Sequence, residues 1–337
     1  MVVRPRIARV SCVRASTFLA LLLLIAPLSA EGRAQQPANV RQIGYLISGR
    51  PASFANRIEA LQMGLRDLGY AEGKDITITF RSAETPDGLP EVAADLVRLN
   101  VDVIFATSST EVEAARRATK TIPIVFATHA DPVGLGHVAS LARPGGNITG
   151  LSTLFTKVVT KELEIMKQAL PHMKRIGVML TLTAPSHRPA AQALEATAPT
   201  LGVQLLTVPV QRPEDLDGAF AMMARERVNG FLAVASTLTR SQRALVAELA
   251  LKHRLAGMFG TRENVEAGGL MSYAPDLVDL TRRAATYIDK ILKGIKPAHL
   301  PVEQASKYEL VINLKTAKTL GITIPPRVLL QADRVIQ

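Results

Sequence analysis

"VDVIFATSSTEVEAARRATKTIPIVFAT" (residues 101–128) sets two short apolar runs on either side of one amphipathic stretch. The runs 101–107 and 121–128 are dense in Val, Ile and Phe and short enough to read as buried strands. Between them, "TEVEAARRATK" reads as a helix, and Thr110-x-x-Glu113 predicts a capping box at its start. Two strands joined by a helix run parallel, because the crossover carries the chain back to the end of the sheet where it started. The unit is α/β.

Working outward, the same unit recurs on both sides. Upstream, "QIGYLIS" (42–48) is a strand, "FANRIEALQMGLRDLG" (54–69) a helix with Phe54, Ile58, Leu61, Leu65 and Leu68 on one face, "DITITF" (75–80) a strand and "LPEVAADLVRLN" (89–100) a helix. Downstream the pattern restarts at "KRIGVMLTLT" (174–183) and runs strand, helix, strand, helix, strand, helix, strand through "AGMFGT" (256–261). The halves align at a constant offset of 133 residues, pairing Gly44 with Gly177, Gly69 with Gly202, Phe126 with Phe259 and Thr128 with Thr261. A second capping box is expected at Thr239-x-x-Gln242. The fold class is therefore α/β, with two Rossmann-like lobes: lobe 1 over 40–150 and lobe 2 over 151–276. The amphipathic helix in "DLVDLTRRAATYIDKILKG" (276–294) exceeds what the second lobe needs and is expected to return to the first over 277–296. The remainder, about 297–337, is placed with the second lobe, crossing back at the hinge. Repeated crossings leave a cleft suited to closing on a ligand.

Ahead of these units, Arg4, Arg6, Arg9 and Arg14 precede an apolar run of 13 residues, "FLALLLLIAPLSA" (18–30), and then small residues. That is the three-part pattern of a secretory signal peptide, assigned to 1–34, and it predicts a periplasmic protein. Cleavage there leaves 303 of the 337 residues, enough for two domains. It also lowers the formal net charge from +11 to +7 and removes Cys12, the single cysteine. A chain without cysteine has no disulfide, thiolate catalysis or Cys-based zinc site. The basic residues are scattered, with no long run interleaved with aromatics, so no nucleic-acid partner is expected.

Ligands of open parallel sheets bind beyond the carboxyl ends of the strands. The residues at those ends form the candidate site: Ser48, Thr107, Ser108, Ser109, Thr128 and Asp131 in the first lobe, and Thr183, Ser236, Glu263 and Tyr273 in the second. Hydroxyls donate and accept, helix N-termini attract anions, and Asp131 or Glu263 suits an ammonium, so a small polar molecule fits, with Asp131 the favoured charged partner. Each Ser or Thr is equally readable as a helix N-cap.

Catalytic and cofactor motifs are missing. There is no H-E-x-x-H, no G-x-S-x-G elbow and no phosphate loop. His129, Asp131 and His137 form only a loose trio, and no metal or cofactor is expected. The string 134–139 matches G-x-G-x-x-A but follows the fourth strand rather than the first, so it reads as a glycine-rich turn. The segment 126–150 is read as a strand end, a ligand-facing loop at 128–131, a short helix and a glycine turn before the hinge.

The strings "FRSAETPDGLPEVAADLVRLNVDVIFATSS" (80–109), "TIPIVFATHADPVGLGHVASLARPGGNITGLS" (121–152), "MSYAPDLVDLTRRAATYIDKILKG" (271–294) and "PVEQASKYELVINLKTAKTLGITIPP" (301–326) resemble a large family of bacterial ABC-transporter substrate-binding proteins. Better-understood members are tryptophan- or tyrosine-binding transporter components. The resemblance implies a type I periplasmic-binding-protein fold with three crossings and a ligand held between the lobes. It also implies a monomeric, non-enzymatic receptor of a small-molecule ligand, an amino acid or related organic acid, that docks on an inner-membrane ABC permease with its ATPase. A periplasmic sensor for a membrane signalling partner and a two-lobed enzyme are the alternatives. The chain departs from the family pattern at His129, where a small or apolar residue is expected.

Overall fold

The computed structural model describes residues 40–337, and the expected signal peptide at 1–34 lies outside the described residues. The first sheet is built from β1 (Arg41–Ser48), α1 (Ala55–Asp67), β2 (Ile76–Ala83), α2 (Leu89–Arg98), β3 (Val103–Ala106), α3 (Ser109–Ala118), β4 (Ile124–His129) and β5 (Ile148–Ser152). The second follows with α4 (Phe155–Ala169), β6 (Arg175–Leu180), α5 (His187–Thr197), β7 (Gln204–Pro209), α6 (Asp215–Arg225), β8 (Gly230–Ala233), α7 (Thr237–Ser241), α8 (Arg243–Lys252), β9 (Ala256–Phe259), α9 (Arg262–Glu266) and β10 (Met271–Pro275). The chain closes with α10 (Leu277–Leu292), β11 (Glu303–Gln304), β12 (Tyr308–Asn313), α11 (Leu314–Leu320), α12 (Pro326–Leu329) and β13 (Arg334–Ile336).

The sheet orders are β11-β5-β4-β3-β1-β2 and β13-β12-β10-β9-β8-β6-β7. The five strands of each repeated unit therefore lie in the same relative order, and all pair in parallel. Each sheet carries an apolar core on both faces, which is why its strands read as continuous apolar runs rather than alternating ones. The 133-residue offset has a structural meaning. Gly44 and Gly177 sit in β1 and β6, where an added Cβ would meet Leu96 at 2.9 Å or the Met223 sulfur at 2.6 Å. Phe126 and Phe259 sit in the matching strands β4 and β9.

Helix α10 packs on the first lobe, joining Leu280, Ala284, Ala285 and Ile288 to a core with Tyr45, Leu61 and Val125. Its approach to α1 is possible because Gly64 has no side chain: a Cβ there would lie 2.4 Å from the Arg282 carbonyl oxygen. Within the terminal segment, Glu303 and Gln304 pair with Leu151 and Ser152 of the first sheet, whereas β12 pairs antiparallel with β10 of the second. The chain thus passes between the sheets three times, at 152–155, 275–277 and 304–308. The Tyr308 hydroxyl lies 3.1 Å from the Thr153 carbonyl and 3.2 Å from that of Ala305, tying two crossings together.

Four local expectations are corrected. Both capping boxes start earlier, at Ser108 with Glu111 and at Ser236 with Thr239, because α3 and α7 begin one residue after those serines. Residues 148–150, read with the glycine turn, already belong to β5. Residues 132–142 form a run of turns and bends, not a helix: Pro132 and two glycines interrupt the backbone, and the amides of His137 and Val138 both donate to the Pro132 carbonyl. Helix α4 carries Val158, Val159, Leu163 and Met166 on its buried face, yet the sequence reading passed over it.

Candidate functional site

A cavity of about 830 Å³ lies between the sheets and takes walls from both. The first lobe supplies Ser53, Arg57, Ser108, Ser109 and Thr128; the second supplies Glu162, Thr181, Thr183, His187, Ser236 and Arg240. The lobes also touch beside it. The Arg240 guanidinium stacks on the Phe54 ring at 4.1 Å, and Arg57 Nη2 lies 3.7 Å from Glu263 Oε1.

Of the ten residues expected at the site, Ser108, Ser109, Thr128, Thr183 and Ser236 line the cavity. Their hydroxyls are already oriented. Ser236 accepts from the Thr239 amide at 3.0 Å, Thr128 donates to the Thr107 carbonyl at 2.5 Å, and Thr183 donates to Gln211 at 3.0 Å.

Ser48, Thr107, Asp131, Glu263 and Tyr273 are not among the cavity's lining residues. Ser48 and Thr107 stand one layer behind it, where Glu111 gathers them: its Oε1 accepts from the Ser48 amide at 3.2 Å and the Thr107 hydroxyl at 3.0 Å, and its Oε2 from the Ser108 amide at 3.1 Å. Asp131, expected as the charged partner, instead accepts from the Gly134 amide at 2.8 Å, closing the turn that Pro132 starts. Glu263 faces the first lobe, where the Asn56 amide group also donates to it at 3.3 Å. Burial pushes its carboxyl up, but the Arg57 and Arg240 charges and the Asn56 hydrogen bond outweigh that and hold it below the usual range. Tyr273 stacks on Tyr308 with centroids 5.7 Å apart, at the crossings.

The His129/Asp131/His137 trio resolves into something else. Among the described residues no group of His, Cys, Asp or Glu converges as metal ligands. The imidazoles instead join end to end: Ser109 Oγ to His129 Nδ1 at 3.3 Å, His129 Nε2 to His137 Nδ1 at 2.6 Å, and His137 Nε2 to Glu113 Oε2 at 2.9 Å. Hydrogen bonds from Arg116, and then from Arg117 and His137, hold Glu113 down at about 2. Burial lowers both histidines, with His137 adding to the effect at His129, so both rings are neutral near pH 7. The anionic end then fixes every proton. His137 donates from Nε2 to Glu113, His129 donates from Nε2 to His137, and Ser109 donates to His129. Ser109 also accepts from the Ala130 amide at 3.0 Å, so toward the cavity it offers a lone pair and no proton.

Three lining groups escaped the sequence reading: Arg57, Arg240 and Glu162. Arg57 is 1% exposed, and its Nε and Nη2 have no hydrogen-bond partner; Arg240 Nε likewise has none. Burial, reinforced by the Arg57 charge, lowers the Arg240 guanidinium to about 9, which still leaves it charged near neutrality. The sequence held a signal for two of them. Arg57 falls three residues after Phe54 and four before Leu61, and Glu162 falls four after Val158 and four before Met166, each a charge on an apolar stripe.

A family model for ABC transporter substrate binding proteins matches residues 46–336. A curated relative, the tyrosine-binding protein of Clostridioides difficile, is 26% identical over 259 residues, covering 77% of this chain and 74% of its own. A conserved domain protein from Vibrio cholerae superposes with a TM-score of 0.82 at 31% identity, covering 88% of this chain and 99% of that one. A Streptococcus pneumoniae ABC domain solved in complex with L-Trp does so with a TM-score of 0.81 at 28% identity, covering 88% and 100%. Among the described residues no helix is long and apolar enough to cross a membrane. Two like-ordered parallel sheets joined by three crossings make the fold that of a type I periplasmic binding protein, and the chain belongs to the family of ABC transporter substrate-binding proteins.

Proposed function

We propose that this chain is the periplasmic receptor of an ABC importer and that it captures an amino acid or a related organic acid between its lobes. The observation that carries the reading is the pair Arg57 and Arg240, buried cations with unpaired N–H groups on a cavity that both lobes line. A guanidinium is matched to a carboxylate, which satisfies two of its donors at once. Ser108, Ser109, Thr128, Thr183 and Ser236 complete the polar lining. The ligand then contacts both lobes only when they close on it, so binding shifts the population toward the closed form. That form, as a monomer, is what a permease with its ATPase reads. The tyrosine-binding relative and the neighbour holding L-Trp support an amino acid, and no chemical change of the ligand is assigned to the cleft.

Thermal unfolding across amino acids, organic acids, sugars and nucleosides tests this. A carboxylate-bearing ligand at about a hundred times its Kd is expected to stabilise the protein by roughly 2.7 kcal/mol. Arg240→Gln removes the charged hydrogen bond and is expected to weaken that ligand about tenfold or more. Stabilisation by sugars or nucleosides alone, or recovery of a chemically altered ligand, overturns the reading.

A further inference from the structure

Glu162 is 1% exposed and lies on the cavity wall, projecting from α4. Its carboxyl forms no hydrogen bond with any described residue, and its Oε2 is both buried and unpartnered. Thr181 Oγ1, at the end of β6, is in the same condition on the same wall. Phe155, Val158 and His187 line the same cavity. His187 has nothing left to offer a ligand: its Nδ1 accepts from the Thr181 amide at 2.9 Å and its Nε2 donates to the Ala235 carbonyl at 3.1 Å. The acceptors left at this wall are therefore the Glu162 carboxyl and the Thr181 hydroxyl. Buried polar groups without partners are rare, because each forfeits its hydration without recompense. Here two line one cavity, whose other unpaired buried groups are cations.

We propose that Glu162 and Thr181 form a subsite for the cationic nitrogen of the ligand, while the carboxylate of the same molecule is held at Arg57 and Arg240. The proposal rests on the amino-acid reading of the cleft and adds an orientation to it: carboxylate toward α1 and α7, ammonium toward α4. It also adds a proton. Burial, with no charged neighbour contributing, raises the Glu162 carboxyl well above its usual range, so the ligand-free protein carries it protonated. An ammonium placed against it favours the ionised form. The O–H bond of the carboxylic acid then breaks, its proton leaves to solvent, and the carboxylate remains paired with the ammonium.

Calorimetric titration of the full chain at pH 7 with each of the proteinogenic L-amino acids, in phosphate and in Tris, identifies the binders and counts the protons. A binding amino acid is expected to release about one proton, whereas its deaminated acid (3-phenylpropionate for phenylalanine, indole-3-propionate for tryptophan) binds with no release. Glu162→Gln is expected to abolish the release and to weaken the amino acid about tenfold or more, leaving the deaminated acid within about twofold. Its unfolding temperature without ligand stays at or above that of the wild type, since an unpaired buried acid is removed. If the variant binds the amino acid as tightly as the wild type, or loses both ligands alike, the subsite is overturned while the receptor reading stands. If no amino acid binds the wild type, the amino-acid reading falls and the subsite with it.

Discussion

At the first lobe's face of the cleft, Ser109 hangs from two buried histidines that end on Glu113. At the matching face of the second lobe, Ser236 is held only by its own helix turn, through Thr239. Counted from the serine caps, which lie 128 positions apart, Glu113 falls on Ser241; by the 133-residue offset of the strands, His129 and His137 fall on Arg262 and Leu270. Ser241 donates to the Leu238 carbonyl of its own helix at 3.1 Å, Leu270 is a core residue, and Arg262 pairs with Glu309 at 3.2 Å outside the cavity lining. One frame, used twice, thus has a connected polar chain behind its serine in one lobe and none in the other. The strand order fixes where a serine reaches the cleft, and the residues behind it fix which way its proton points. Three hydrogen bonds away, Glu113 decides that Ser109 is an acceptor toward the cavity.

The largest expected effect sharpens the contrast from the second lobe's side, where a lone histidine is buried between Thr181 and Ala235. Burial, partly offset by the hydrogen bond to Ala235, lowers His187 to about 4 from an ordinary 6.5. The unfolded chain therefore takes up this proton near pH 6.5 and the folded chain only near pH 4. Stability from this group is complete above pH 6.5, falls through the interval and is fully lost below about 4, a loss of about 3 kcal/mol in total. Urea unfolding between pH 7 and pH 4 is expected to show this fall in the wild type and a shallower one in His187→Gln. An equally steep fall in the variant assigns the loss to other groups, His129 and His137 in the first lobe among them.

Glu113→Gln breaks the chain behind Ser109. An amide donates where the carboxylate accepted, so both imidazoles swap tautomers and His129 presents its N–H to the serine. Nitrogen NMR is expected to show protonated Nε2 on both rings in the wild type and protonated Nδ1 in the variant. A ligand donor bonded to Ser109 then loses its acceptor, weakening binding about tenfold. Unchanged tautomers in the variant mean that Glu113 does not set the chain's direction.

The smallest effects test what the lobes share. Ser108→Ala and Ser236→Ala each remove an N-cap and are expected to destabilise by about 1 kcal/mol, additively, because the two sites lie on separate helices. A much larger loss for Ser236→Ala, read by the same unfolding curves, shows that its helix does more than terminate cleanly.

How much of this was legible in the sequence differs between the frame and the site. Strand and helix order, the duplication and the return of α10 all follow from apolar periodicity, which encodes the face each element buries. Ser108, Ser109, Thr128, Thr183 and Ser236 follow from it too, since a residue at the carboxyl end of a parallel strand or the start of the next helix faces the ligand side in any fold of this class. Asp131 was expected as the charged partner from its place after β4, but its carboxylate accepts from the Gly134 amide in the turn that Pro132 starts. Arg57 and Glu162 were visible as charges on apolar stripes, but a stripe does not say whether its charge meets a partner, a cavity or a neighbouring lobe.

The sequence by itself determined two like-ordered α/β lobes and the strand ends on which a ligand would rest, because those depend on patterns local to each element. Only the tertiary structure decided the chemistry between them. Arg57 meets Glu263, Phe54 meets Arg240, and Ser109 reaches Glu113 through His129 and His137. Such contacts join residues that periodicity treats as independent, and whether a buried charge is paired, bridged or left facing a cleft is settled only when separate elements are packed together.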